Sequence, residues 1–274
     1  MAMSLPRPPA GLGRLGGFAP GAVVALAILA VIVAATLASP LLMTHLPLDQ
    51  DLLARNKAPS WAHLLGTDHL GRDVYSRLLT GGRTTLAIAT AATLVAFLIG
   101  AGVGLLAIAL GRPVEAAVFA FIDLVRALPG TLLALLLIVA LGSGPVPLVT
   151  ALGISFSPLV AYVVRAAYRR EAVRDYVRAA RTFGGGRLHI MVRHILPNLA
   201  GVMVTQAAII LPRCIVTESV LSFLGVGSSP DAPTWGRMIA DSIRYMQSAP
   251  HVILAPMGGL VVLTISVSVI GDHV

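Results

Sequence analysis

The sequence holds one cysteine, Cys214, one lysine, Lys57, and only 5% aromatic residues. A lone cysteine in an apolar stretch excludes a disulfide framework and a thiolate metal cluster, and leaves a buried free thiol. Charge is also scarce, at 12% of residues, and none falls in 15–48, 84–111 or 127–164. A soluble domain needs charge around its whole surface, so a water-dissolved globule is excluded. The net charge of +8 is confined to a few short stretches with almost no aromatics beside them, which argues against nucleic acid as a partner. There is no Gly-x-x-x-x-Gly-Lys phosphate loop, no His-Glu-x-x-His and no Gly-x-Ser-x-Gly. An intramembrane enzyme is the alternative of another class, and histidines scattered over loops argue against it.

What is present is apolar: 57% of residues are hydrophobic, gathered into runs bounded by Gly, Pro or charge. A bilayer core about 30 Å thick needs roughly 20 helical residues. Six spans are expected, at 18–42, 84–110, 114–141, 148–168, 199–222 and 251–270, giving an all-α polytopic membrane protein. The runs are continuous rather than alternating, which favours helices over a barrel. Arg7 and Arg14 in the segment 1–17 precede the first run as in a secretory signal, but the run is too long for one and lacks a convincing cleavage site. It reads as a retained span.

Orientation follows from the basic residues. The connection after the fourth span holds Arg165, Arg169, Arg170, Arg174, Arg178, Arg181, Arg187 and Arg193 and is expected in the cytoplasm, which places the N-terminus there too. Segments 43–83 and 223–250 then lie outside. Within the basic loop, Val173, Tyr176, Val177, Ala180 and Phe183 recur at helical spacing, Gly184-Gly185-Gly186 ends that helix, and Leu188, Met191, Val192 and Ile195 predict a second amphipathic piece before Pro197 opens the next span. A lipid anchor needs neither the stripe nor the turn. A helix fitted to a groove on a cytosolic partner needs both.

Asp175-Tyr176-Val177-Arg178-Ala179-Ala180, Gly184 and His194-Ile195-Leu196-Pro197-Asn198 resemble the Glu-Ala-Ala loop of binding-protein-dependent ABC importer permeases. His63 to Asp73, Ser76 to Leu79, Gly81-Gly82-Arg83, Glu218 to Gly227 and Pro233-Thr234-Trp235-Gly236 are similar to C-type permease subunits of dipeptide, oligopeptide and nickel importers. The resemblance implies a type I permease core in the last five spans, 84–274, and a loop, 169–198, whose coupling helix docks on an ATPase through Asp175, Tyr176, Val177, Arg178, Ala179, Ala180, Arg181, Phe183 and Gly184. Arg178 stands where the family usually has glutamate. The partners implied are a second homologous permease subunit, two ATP-binding subunits or one fused ATPase pair that bind ATP and Mg2+, an extracytoplasmic solute-binding protein, membrane lipid, and a dipeptide or short oligopeptide. Nickel or its chelates are the alternative cargo, and the location implied is the bacterial inner membrane. Docking of the solute-binding protein is expected near Asp68, Arg72, Asp73 and Trp235, although an interfacial tryptophan has the same signature. The chain stops at Gly271-Asp272-His273-Val274, where relatives are expected to continue into a short charged tail.

His63, Asp68, His69 and Asp73 have ligand-type side chains, but helix capping and turn formation account for them and no metal site is expected. Asp123, Arg126, Arg213 and Glu218 lie within spans, where each charge costs roughly 2.5 to 3.5 kcal/mol at the centre. They are candidates for a water-filled translocation path; Asp123 and Arg126, three apart, are also placed to pair with each other. Pro129-Gly130, Pro158 and Pro212 mark possible bends.

Overall fold

The computed structural model describes residues 20–227, 232–271 and 273; segment 1–17 and the first two residues of the expected first span lie outside them. α1, Pro20–Leu37, is apolar on every face, as a helix in lipid is. After a turn at Ala38, α2, Ser39–Leu42, starts with Pro40 in its first turn. A 3-10 turn, Leu52–Ala54, is capped by Asp51.

α3, Val74–Leu110, has 37 residues and begins ten positions before the expected span. Asp73 caps it by accepting the Ser76 N–H at 2.8 Å. At about 1.5 Å per residue it is about 55 Å long, so its first turns stand outside a bilayer core about 30 Å thick. The expected span begins at Thr84 because Arg83 interrupts the apolar run, but α3 already starts at Val74 and carries that charge within it.

The expected span 114–141 is broken. α4, Arg112–Arg126, and α5, Gly130–Leu141, meet at 92°. Pro129, at φ −55 and ψ 130, is extended and has no N–H to continue the ladder. α6, Pro145–Glu171, carries Pro158 inside it. α7, Asp175–Thr182, and α8, Arg187–Ile190, follow. A π segment, Met191–Ile195, and a 3-10 turn, Leu196–Leu199, then lead into α9, Ala200–Phe223. The helical run is continuous from Arg187 to Phe223, so Pro197 lies inside it and does not open a new span. α10, Trp235–Ser242, a 3-10 turn, Ile243–Tyr245, and α11, Pro250–Gly271, complete the described chain. Among the described residues five helices are long and apolar enough to cross a membrane, and six if the bent α4–α5 pair is one span.

α3 and α6 form the central pair. Small residues bring their backbones together: a Cβ on Gly100 would lie 2.3 Å from the Ser157 carbonyl oxygen, and one on Gly153 would lie 2.4 Å from Val95. Ala92, Ala96, Leu148, Leu152, Val160, Ile210 and Leu263 fill the core around this pair, with α1 lying against α11. Leu98, Leu106, Leu124 and Val139 point away from it.

Candidate coupling surface and translocation face

α7 hangs from the bundle by one side. Val177 is fully buried with Ile108, Ala167, Tyr168, Ile190, Met191, Ile195 and Leu199, and Ala180 packs against this cluster. The opposite side is free: Asp175, Arg178, Ala179 and Arg181 are exposed, and Phe183 is 90% exposed. The expected five-residue stripe is therefore split. Val177 and Ala180 anchor the helix, while Val173 and Phe183 point outward, because Val173 precedes α7 and Phe183 follows its last turn, so neither keeps the helical register. Arg178 reaches only its neighbour Asp175, at 3.8 Å.

The glycine run closes α7 as a Schellman motif. Gly184 has φ +83, its N–H donates to the Arg181 carbonyl, and the Gly185 N–H donates to the Ala180 carbonyl, each at 3.0 Å. Beyond it, the expected face of Leu188, Met191, Val192 and Ile195 is also divided. Met191 and Ile195 are buried and Leu188 and Val192 exposed, the wider turn of the π segment having shifted the register. Tyr176 ties the assembly together. Its phenol donates to Glu171 at 3.0 Å and accepts from Asn198 Nδ2 at 3.3 Å. Glu171 escaped the sequence reading because nothing in the local pattern distinguishes it from the arginine-rich run around it.

Arg213 is exposed on α9 and borders an open cavity of about 500 Å³ lined with Gly130, Thr131, Phe156, Thr217, Thr264 and Ser268. The α4–α5 break thus forms part of this wall. Glu218 faces elsewhere: it is fully buried and accepts from the Ser222 hydroxyl at 2.6 Å and the Ser219 hydroxyl at 3.3 Å. Asp123 and Arg126 do not pair with each other in the structure. Both go to Tyr162 of α6, whose hydroxyl donates to Asp123 and whose ring lies 4.8 Å under the Arg126 guanidinium. A residue three positions away on the same helix was a nearer candidate in sequence, but the ring of α6 fills the space between the two side chains.

The end of the bundle where α3 begins carries an ionic network centred on the buried Asp68, Arg72 and Arg77. Asp68 accepts from the Arg72 Nε at 2.6 Å, Arg77 lies 3.6 Å from the same carboxylate, and Asp241 stands 3.6 Å from Arg72 and 3.4 Å from Arg237. Asp73 accepts from His63 at 3.0 Å, with His45 at 3.8 Å. The ligand-type atoms of His45, His63 and Asp73 lie within 4.8 Å of one another, a grouping that could hold a metal ion, whereas Asp68 belongs to the arginine network instead. Trp235 is 3% exposed; its indole donates to the Leu78 carbonyl at 2.9 Å, and Gly82 and Gly259 lie against its ring. It clasps α10 to α3 and α11 rather than lying at a membrane interface. Asp68, Arg72 and Asp73 are buried as well, whereas Trp61, which the sequence reading passed over, is 98% exposed on the same side of the chain.

A bundle of helices apolar enough to cross a membrane, an open cavity bordered by Arg213 beside a broken helix, and a small helix held to the bundle by one face define a multi-span membrane protein. The chain belongs to the family described as binding-protein-dependent transport system inner membrane component, which matches residues 96–274. It is 35% identical to a Brucella suis protein named as a peptide permease, over 92% of this chain and 84% of that one. It is 35% identical to the glutathione transport system permease protein GsiD of Pectobacterium atrosepticum, over 79% and 72%, and 34% identical to the di/tripeptide transport system permease protein DppC of Pseudomonas aeruginosa, over 78% and 73%. In fold it is similar to the MetNI methionine ABC transporter in inward-facing form, with a TM-score of 0.60 and 21% identity over 72% of this chain and 93% of that one. The protein is a non-catalytic permease component of an ABC importer in the inner membrane, a role that implies partner permease and ATPase subunits.

Proposed function

We propose that this chain and a second homologous permease subunit enclose a path for dipeptides or short oligopeptides, and that α7 couples the path to cytosolic ATPases. The observation that carries this reading is α7 itself, anchored by Val177 and presenting Arg178 and Phe183 outward. A helix held by one face and bare on the other fits a groove on a partner. With no phosphate loop here, ATP and Mg2+ belong to two partner ATPase subunits or one fused pair. The peptide cargo follows the names of the relatives in Brucella, Pectobacterium and Pseudomonas, which favour peptides over nickel.

In this reading the N-terminus and α7 are cytoplasmic, as the arginine bias requires, and a solute-binding protein lands on the outer loops. The cavity wall with Arg213 forms part of the path, and the exposed Trp61 is a better docking contact than the buried Asp68, Arg72, Asp73 or Trp235. Reconstitution of the complete complex in lipid tests the proposal. Dipeptides presented with the binding protein should stimulate ATP hydrolysis; stimulation by nickel chelates alone, or failure of an ATPase subunit to co-purify, would overturn it.

A further inference from the structure

We infer that the α7 end of the bundle carries a binding site for an anionic phospholipid, between α3, α4 and α6 at the root of α7. A cavity of about 500 Å³ there is lined by Arg112, Arg165, Arg169 and Arg187 against one carboxylate, Glu115, with Ile108, Ala116 and Tyr168 completing the wall. Glu115 is already engaged, accepting from Arg165 at 2.6 Å and Arg169 at 2.7 Å. Arg165 is also seated 4.0 Å over the Phe119 ring, and Arg187 donates to the Ile108 carbonyl at 2.5 Å. The guanidinium groups of Arg165, Arg169 and Arg187 are thus held in place, and with Arg112 the combined charge of the four exceeds that of the single acid. A second cavity shares Tyr168 and Arg187 and adds Arg181.

An independent feature favours a lipid over a free phosphate. About one turn farther along the same three helices, toward the membrane interior, lies an apolar slot of about 180 Å³ lined by Val103, Val118, Ile122, Val125, Pro158 and Ala161. An arginine-lined pocket beside an apolar slot suits a phosphate headgroup bearing an acyl chain, and basic pockets between spans on the cytoplasmic side hold such headgroups. Because Tyr168 and Ile108 also pack on Val177, an occupied pocket braces the anchor of α7. This inference uses the cytoplasmic placement proposed above, but its test needs no transport.

The complete complex is placed in nanodiscs of phosphatidylglycerol with phosphatidylcholine, and the lipids retained after detergent exchange are measured by native mass spectrometry. The wild type is expected to retain phosphatidylglycerol preferentially. The double variant Arg112→Gln, Arg187→Gln should lose that preference by about tenfold, and the corresponding double lysine variant should recover most of it. Equal retention by wild type and glutamine variant overturns the inference. So does inorganic phosphate that displaces the lipid at equal concentration, which would mean the acyl chain contributes nothing, or a preference that vanishes on binding the ATPase, which would assign the pocket to a protein partner. If the glutamine variant does not assemble, the lysine variant and an Ala116→Leu variant that narrows the pocket give the same comparison. Labelling of single cysteines from either side of the membrane tests the orientation separately.

Discussion

The Tyr176 hydroxyl donates to Glu171 at 3.0 Å, fastening the first turn of α7 to the last turn of α6. Burial and this hydrogen bond raise the phenol above its ordinary pKa, so it remains a donor at neutral pH. Tyr176→Phe keeps the ring and removes the bond, a loss of about 1 kcal/mol at a half-exposed site. Uptake per ATP hydrolysed should fall several-fold while the complex still assembles; an unchanged ratio would show that Val177 alone holds the helix.

Gly184 occupies the left-handed position of the Schellman turn, at φ +83. Gly184→Ala should cost about 1 kcal/mol and Gly184→Asn less, as read from thermal unfolding of the assembled complex. Gly185→Ala acts differently, since its Cβ would sit 2.8 Å from the Ala180 carbonyl oxygen. It should reorient α7 and weaken ATPase retention during purification.

At the end of the bundle opposite α7, a Cβ on Gly236 would lie 2.1 Å from the Ser219 carbonyl oxygen. No flexible side chain is there to yield, so Gly236→Ala should push α10 off α9 and sharply lower the amount of folded protein. Trp235→Phe, which loses the indole bond to Leu78 and the ring atoms packed against Gly82 and Gly259, should cost about 2 to 3 kcal/mol and lower the unfolding temperature while the protein still folds.

Asp73 gives the start of α3 an acid dependence. Burial opposes its ionisation, but hydrogen bonds from the Ser76 amide and hydroxyl and from His63 outweigh burial and hold the carboxyl below its usual range. Its stabilisation is therefore complete above the unfolded-state value of about 3.9 and is lost as pH falls through the lower folded value. Unfolding temperatures measured from neutral pH to below that range should decline less steeply for Asp73→Asn, which starts from a lower value. Parallel curves would remove Asp73 from the acid response.

Arg213 lies within a span and borders the open cavity beside the α4–α5 break. Arg213→Ala should reduce peptide uptake at normal expression and leave basal ATP hydrolysis in place. Normal uptake would exclude Arg213 from the path. Glu218→Gln should behave as a stability variant, because its carboxylate meets Ser219 and Ser222 in the core.

Much of this arrangement was legible in the sequence. Long uncharged runs must be helical in lipid because no other open segment satisfies its backbone there, so the crossings could be read without a partner. The glycine run ended α7 for an equally local reason, since only a residue at ease with positive φ closes a helix in that way. The break at Pro129 was visible as a possible bend but not as a 92° turn, because proline removes a hydrogen bond without choosing a direction.

Partnerships between distant segments depended on tertiary structure. Tyr162 came between Asp123 and Arg126, Glu171 met Tyr176, Trp235 turned inward to Leu78, and Arg213 and Glu218 went to different surroundings from the same helix. Periodicity states that two residues share a face or do not; it carries no information about which helix lies opposite. The apolar pattern thus determined a membrane-spanning helical bundle with a small helix projecting from it. Packing alone decided which of its charges lie buried in networks and which remain free to meet a peptide, a lipid or another subunit.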